Sequence, residues 1–259
     1  ILRFKTKFGN CEGVVRLFED QERKGYFKAW SLLTALSDLS SSDKKNIEQY
    51  QNILEGPNWL DKRNEDRLYK NREPDVIVVG GGQAGLSIAA RLKQHNIDTL
   101  IIDKNERIGD NWRNRYHSLK LHNQTHVNHL PYMPFPSTWP TYIPKDKLAG
   151  WFEYYVESME LNAWTNTKFI GAEYYENKKH WKVKLKLSDG TIKIMKPKHI
   201  VMAVGVSSVP NRTKIPGMDH YKGKVIHSAD YENGKHYNGK NVLVYGTGTS
   251  AHDVAQDLY

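Results

Sequence analysis

The sequence predicts an α/β fold organised around parallel sheet, and three observations predict it. The run DVIVV at 75–79 is short and continuously apolar, and it enters glycines that open a helix-patterned segment. A strand without polar alternation belongs in a sheet covered on both faces. A second strand-like run, NVLVY at 241–245, meets a second glycine loop of the same build. Between them, from 167 to 196, apolar and polar residues alternate around turns at ENKK and SDG. That period of two is the mark of an antiparallel meander.

The elements follow in chain order. Residues 3–8, 13–20 and 26–36 are rich in β-branched and aromatic side chains, with a turn at QERKG, and read as antiparallel strands. Polar helical patterns follow at 43–54 and 58–70. Residues 1–72 therefore read as the end of a β-rich domain and a helical connector. From Pro74 the pattern changes to strand 75–79, helix 84–95 and strand 99–103, a β-α-β unit. The stretch 104–146 is irregular, with five prolines between Pro131 and Pro144. A helix is expected at about 146–159, then the meander, then a buried strand in HIVMAVG at 199–205. The expected domains are 1–72, 73–213 and 214–259.

Composition narrows the class. At 259 residues, 39% hydrophobic and 26% charged, the chain can bury a sizeable core. No apolar run approaches the ~18 residues that would suggest a membrane span. The chain starts at Ile1 without a signal-like apolar core, so it is expected to be a fragment of a longer, cytoplasmic protein, with a membrane anchor outside these residues left open. The single cysteine, Cys11, excludes an internal disulfide framework and any CxxC pair. The net charge of +9 is spread out. Its densest run, KKHWKVKLKL, alternates like a half-buried strand, so no nucleic-acid partner is expected.

The chemistry lies in the two glycine loops. Gly80, Gly82 and Gly85, with Gln83 and Ala84 between, fit G-x-G-x-x-G in its proper context of strand before and helix after. The first glycine permits the tight turn. The second lets backbone approach a pyrophosphate at the helix N-terminus, and the third lets helix and strand pack closely. Asp103, ending the next strand, is placed to accept hydrogen bonds from a ribose. Gly246, Gly248, Thr249 and Ser250 repeat the pattern, with Ala251 in the third place. Two dinucleotide loops suggest two dinucleotides, most economically FAD and a nicotinamide cofactor.

From about residue 74 onward, the sequence resembles the class B flavin monooxygenases. Their identifying string, F-x-G-x-x-x-H-x-x-x-(F/Y), reads here YKGKVIHSADY, with Tyr221, Gly223, His227 and Tyr231. Tyr221 replaces the usual Phe, and Tyr231 argues against the Baeyer–Villiger branch. ERIGDNW resembles the family's stretch near the flavin, which marks Gly109 and Trp112. HIVMAVG resembles the strand closing the FAD domain, which marks Ala203 and Gly205. SLKLHNQTHVNHLPYMPFP resembles the loop lining the flavin, where His122, with Asn123 beside it, takes the helper position. The resemblance implies a glutathione-reductase-like FAD-binding Rossmann domain with a β-meander, and the start of a second, NADPH-binding Rossmann domain. It also implies that residues 1–72 end an additional N-terminal domain, for which an NTF2-like fold is the expectation. The implied cofactors are FAD and NADPH, and the implied co-substrates O2 and a small molecule. Oxygen would add to the reduced flavin as a C4a-(hydro)peroxide, and one atom would pass to nitrogen, sulfur or a carbonyl carbon. A fragment of this kind is expected to hold its cofactors poorly.

Two alternatives stay open: a pyridine-nucleotide disulfide reductase whose dithiol lies after Tyr259, and a non-catalytic flavin-binding module. Four histidines, His117, His122, His126 and His129, share one loop. Without cysteine partners or a His-Glu helical pattern they predict no metal site. The stretch LPYMPFPSTWPTYIP is expected to pack on its own protein rather than serve as a proline-rich ligand.

Overall fold

The computed structural model describes residues 1–39, 58–206 and 208–259. The helix expected at 43–54 lies outside the described residues. The chain divides into two compact units, Ile1–Glu55 and Gly56–Tyr259.

The first unit is an antiparallel sheet in the order β1-β2-β3: β1 Leu2–Thr6, β2 Gly9–Glu19 and β3 Phe27–Leu39. Irregular register at Asn10/Cys11 and Arg16/Leu17 bends the long β2-β3 ribbon. Phe18 and Trp30 meet edge to face at 5.9 Å. Lys28 Nζ, 2.6 Å from Asp20, holds that carboxyl below the usual range.

The second unit is built on a parallel sheet in the order β10-β4-β5-β6. Its strands are β4 Val76–Val79, β5 Thr99–Ile102, β6 Asn162–Trp164 and β10 His199–Met202. Alternate residues serve opposite faces. Val76, Val78 and Ile101 pack against Leu86, Ala89 and Ala90 of α2, Gln83–Gln94, and Leu148, Phe152 and Tyr155 of α4, Lys145–Ser158. Ile77, Val79, Leu100 and Ile102 face Val183, Leu185 and Met195 of the meander. That meander comprises β7 Lys168–Tyr175, β8 His180–Lys186 and β9 Ile192–Met195. A sheet buried on both faces explains the continuous apolar runs in the sequence.

Helix α1, Trp59–Leu68, packs on β6: buried Arg63 donates to Asn162 Oδ1 and the Leu161 carbonyl, and Trp164 Nε1 donates to the Arg67 carbonyl. The irregular stretch contains one short α-helix, α3, Asp110–Arg113, and a 3-10 turn at Thr125–Val127, and otherwise folds on itself. Phe135 is buried, stacked on Trp139 at 4.8 Å and tilted on Trp151 at 5.6 Å.

One element differs from expectation. Residues 241–245 form no ladder, and Leu243 and Tyr245 are 89% and 77% exposed. A buried parallel strand needs neighbours for its amides and carbonyls, and no strand among the described residues pairs with this run. The helix after it does form, as α5, Thr249–Leu258.

Candidate cofactor-binding site

The first loop joins β4 to α2. Gly80 N–H donates to the Ile102 carbonyl at 2.8 Å, and its φ of +110° suits glycine. A Cβ at Gly80 would lie 2.4 Å from the Ala203 carbonyl oxygen, and one at Gly85 would lie 1.9 Å from the Gly80 oxygen. These close approaches bring β10, the loop and the first turn of α2 together. Gly82 caps the helix without a side-chain hydrogen bond, so the capping residue leaves the first-turn amides to other partners. Asp103 is buried and receives Gly81 N–H at 2.7 Å on Oδ2 and Asn105 N–H at 2.8 Å on Oδ1. A carboxylate has about four lone-pair sites, so further donors can still be accepted. Gln83 and Ala84 are exposed, and Trp112 Nε1 donates to Gln83 Oε1 at 3.4 Å. Bare amides at a helix N-terminus, with a carboxylate beside them, fit the diphosphate and ribose of a dinucleotide. Gly205 turns the chain away after β10 with φ +77° and open space around it.

The second loop repeats this backbone. Gly246 has φ +144°, and Gly248 caps α5 at φ −77°, ψ 170°, where Gly82 caps α2 at φ −85°, ψ −175°. Gly248 likewise provides no side-chain cap, and Thr249 and Ser250 open the helix.

The string before this loop holds α5 in place. A Cβ at Gly223 would lie 2.4 Å from the Tyr221 ring, so the ring lies against this position. His227 Nδ1 accepts from Ala229 N–H at 3.0 Å and caps a short 3-10 turn. Tyr231 is buried, and its hydroxyl donates to Asp257 Oδ2 at 2.7 Å. The same oxygen accepts Gly234 N–H at 2.8 Å. Burial and then the Asp257 contact push the Tyr231 hydroxyl pKa up. Tyr116, Leu119, Tyr231 and Val254 form a small core between the irregular stretch and α5.

The four histidines separate. His129 Nδ1 accepts from Phe135 N–H at 2.9 Å, within the packed proline-rich segment. His122 is exposed, and its Nε2 lies 3.0 Å from Asp253 Oδ2 on α5. Asn123, also exposed, contributes its carbonyl to Asn128 Nδ2 at 3.1 Å. Among the described residues no group of three His, Cys, Asp or Glu side chains could hold a metal ion. Tyr116 and Asp253 were not singled out in the sequence, yet Tyr116 Oη donates to Asp253 Oδ2 at 2.5 Å. Burial and that carboxylate push the Tyr116 pKa up to about 12. No local signal marks either residue, because their link spans more than half of the chain.

A parallel sheet flanked by helices and a meander, with two glycine loops at helix N-termini, defines the two-dinucleotide flavoprotein class of oxidoreductases. The chain belongs to the pyridine nucleotide-disulphide oxidoreductase family, whose model matches residues 77–259, and within it to the class B flavin monooxygenases. It is similar to the Arabidopsis thaliana protein named "Probable indole-3-pyruvate monooxygenase YUCCA3", at 33% identity over 85% of this chain and 51% of that protein. Among solved structures it resembles cyclohexanone monooxygenase in its open form, at 28% identity and TM-score 0.60, covering 71% of this chain and 37% of that one. A flavin monooxygenase from Stenotrophomonas maltophilia shares the fold at TM-score 0.65 and 22% identity, over 71% of this chain and 54% of that one. The chain spans about half the length of the curated relatives it matches. The family implies a flavin and a pyridine nucleotide as cofactors. No helix among the described residues is long and apolar enough to cross a membrane.

Proposed function

We propose that the protein is an FAD- and NADPH-dependent monooxygenase that transfers one atom of O2 to a small molecule at nitrogen, sulfur or a carbonyl carbon. The observation that carries this reading is the repeated loop geometry, Gly82 and Gly248 each capping a helix with bare amides, within one compact unit. The similarity to proteins named as monooxygenases supports it.

In this reading residues 73–213 hold FAD and residues 214–259 begin the NADPH domain, with 1–72 as a preceding domain and connector. Gly80, Gly82, Gln83, Ala84 and Gly85 grip the diphosphate, and Asp103 orients the ribose. Trp112, Ala203 and Gly205 border the flavin. Gly246, Gly248, Thr249 and Ser250 receive the nicotinamide dinucleotide. His122 and Asn123 stand in the flavin-lining loop as hydrogen-bonding helpers. When bound, the flavin supplies the redox chemistry, taking hydride from the nicotinamide and reacting with O2. The chain's own task is to align the two cofactors and keep water out.

The test is NADPH-driven oxygen uptake by the full-length protein, with 18O2 and a panel of amine, sulfide and ketone substrates. Label in the product is the expected result. Reduction of a disulfide without O2, or absence of turnover, would replace this reading with a reductase or a binding module.

A further inference from the structure

One carboxylate reaches from the second loop's helix to the flavin-lining loop. Asp253, in the second turn of α5, receives the Tyr116 hydroxyl at 2.5 Å, and His122 Nε2 lies 3.0 Å from the same oxygen, Oδ2. We propose that Asp253 is a positioning residue, holding the His122 imidazole in one tautomer and one orientation beside the helix of the second glycine loop. This rests on the monooxygenase reading for its consequence in turnover, but not for the contact itself.

The argument is one of donors and acceptors. An ionised Asp only accepts, and Tyr116, which keeps its proton at neutral pH, donates to Oδ2. A further bond to that oxygen requires a donor, so His122 must present Nε2–H. In the neutral ring this leaves Nδ1 as the lone-pair nitrogen, able to accept a proton or hydrogen bond. Tyr116 is 3% exposed and fixed in its small core, so Asp253 is fixed in turn. The His122 and Asp253 side chains are 45% and 25% exposed. A contact that open to water contributes little to stability. Its effect is therefore orientation: without the carboxylate, an exposed imidazole samples both tautomers. A carboxylate that fixes a histidine through its second nitrogen is a recurring device at reactive sites.

The experiment uses the full-length protein with its cofactors, labelled with 15N-histidine. Ring nitrogen shifts for His122 are expected to report a single Nε2–H tautomer in the wild type and a mixture in Asp253→Asn. Tyr116→Phe should keep the single tautomer. Stopped-flow reduction of the flavin by NADPH should slow about tenfold in Asp253→Asn, with flavin content unchanged. The double variant with His122→Ala should be no slower than His122→Ala alone, because one residue acts through the other. An unchanged tautomer in Asp253→Asn, or losses that multiply in the double variant, would overturn the proposal. If Asp253→Asn does not accumulate, Asp253→Glu retains the carboxylate, and a mixed tautomer with full reduction rate would overturn it equally. A wild-type protein that accepts no electrons from NADPH would defeat the monooxygenase reading instead, while the tautomer comparison would still decide the role of Asp253.

Discussion

Two glycines, the first of one loop and the helix cap of the other, differ in what surrounds them. Gly80 has φ +110° and the Ala203 carbonyl 2.4 Å from where a Cβ would stand, whereas Gly248 has φ −77° and nothing within 4 Å. Gly80→Ala is therefore expected to cost about 1–3 kcal/mol and to lower flavin occupancy, measured by thermal unfolding and by absorbance at the flavin band. Gly248→Ala should leave the unfolding midpoint within a degree or two and weaken nicotinamide-nucleotide binding, measured by titration of the full-length protein. Tyr231→Phe removes a buried hydroxyl that donates to Asp257 at 2.7 Å. A loss of about 1 kcal/mol is expected in denaturant unfolding. The glycines were legible because a fixed spacing betrays them. Asp253 was not, because its chemistry depends on Tyr116 and His122, brought to it only by folding.

Among the elements, those with a clear apolar pattern were legible to within a few residues: periodic in α2, α4 and the meander, continuous in β4, β5 and β10. Their apolar residues recur as the burial of each face requires. Strand β6, only three residues long, leaves no periodic trace. The run 241–245 carried a strand's composition without its structure, since composition cannot provide a hydrogen-bonding neighbour. Helix α1 read as a polar connector because its attachment is made by polar side chains, which no hydrophobic pattern reveals. Arg63 makes two hydrogen bonds to the β6 edge, at 3.0 and 3.1 Å, from a buried position. Arg63→Ala leaves those acceptors without a donor, and a loss of about 1–3 kcal/mol is expected, read from chemical unfolding. A neutral result would mean that α1 is held by Trp164 and the Arg67–Glu157 pair instead.

Across the molecule, four buried tyrosines resist ionisation. Burial comes first in each case, pushing Tyr116 and Tyr155 up to about 12 and Tyr69 and Tyr231 higher still. In the unfolded chain such hydroxyls ionise near 10. Between about pH 10 and 12 the folded state thus binds more protons than the unfolded state, and stability falls as pH rises. Unfolding midpoints should be insensitive to these groups below pH 9 and drop steeply above 10, and a flat profile to pH 12 would contradict the assigned burial. The bare run before the second glycine loop has a consequence on another scale, that of time. Amides 76–79, laddered on both sides, should trade protons for deuterons only through opening of the whole unit, whereas the backbone at 241–245 in this 259-residue chain should label almost as fast as a free peptide. The twin loops would then be told apart by their clocks, despite the near-identical angles of their caps.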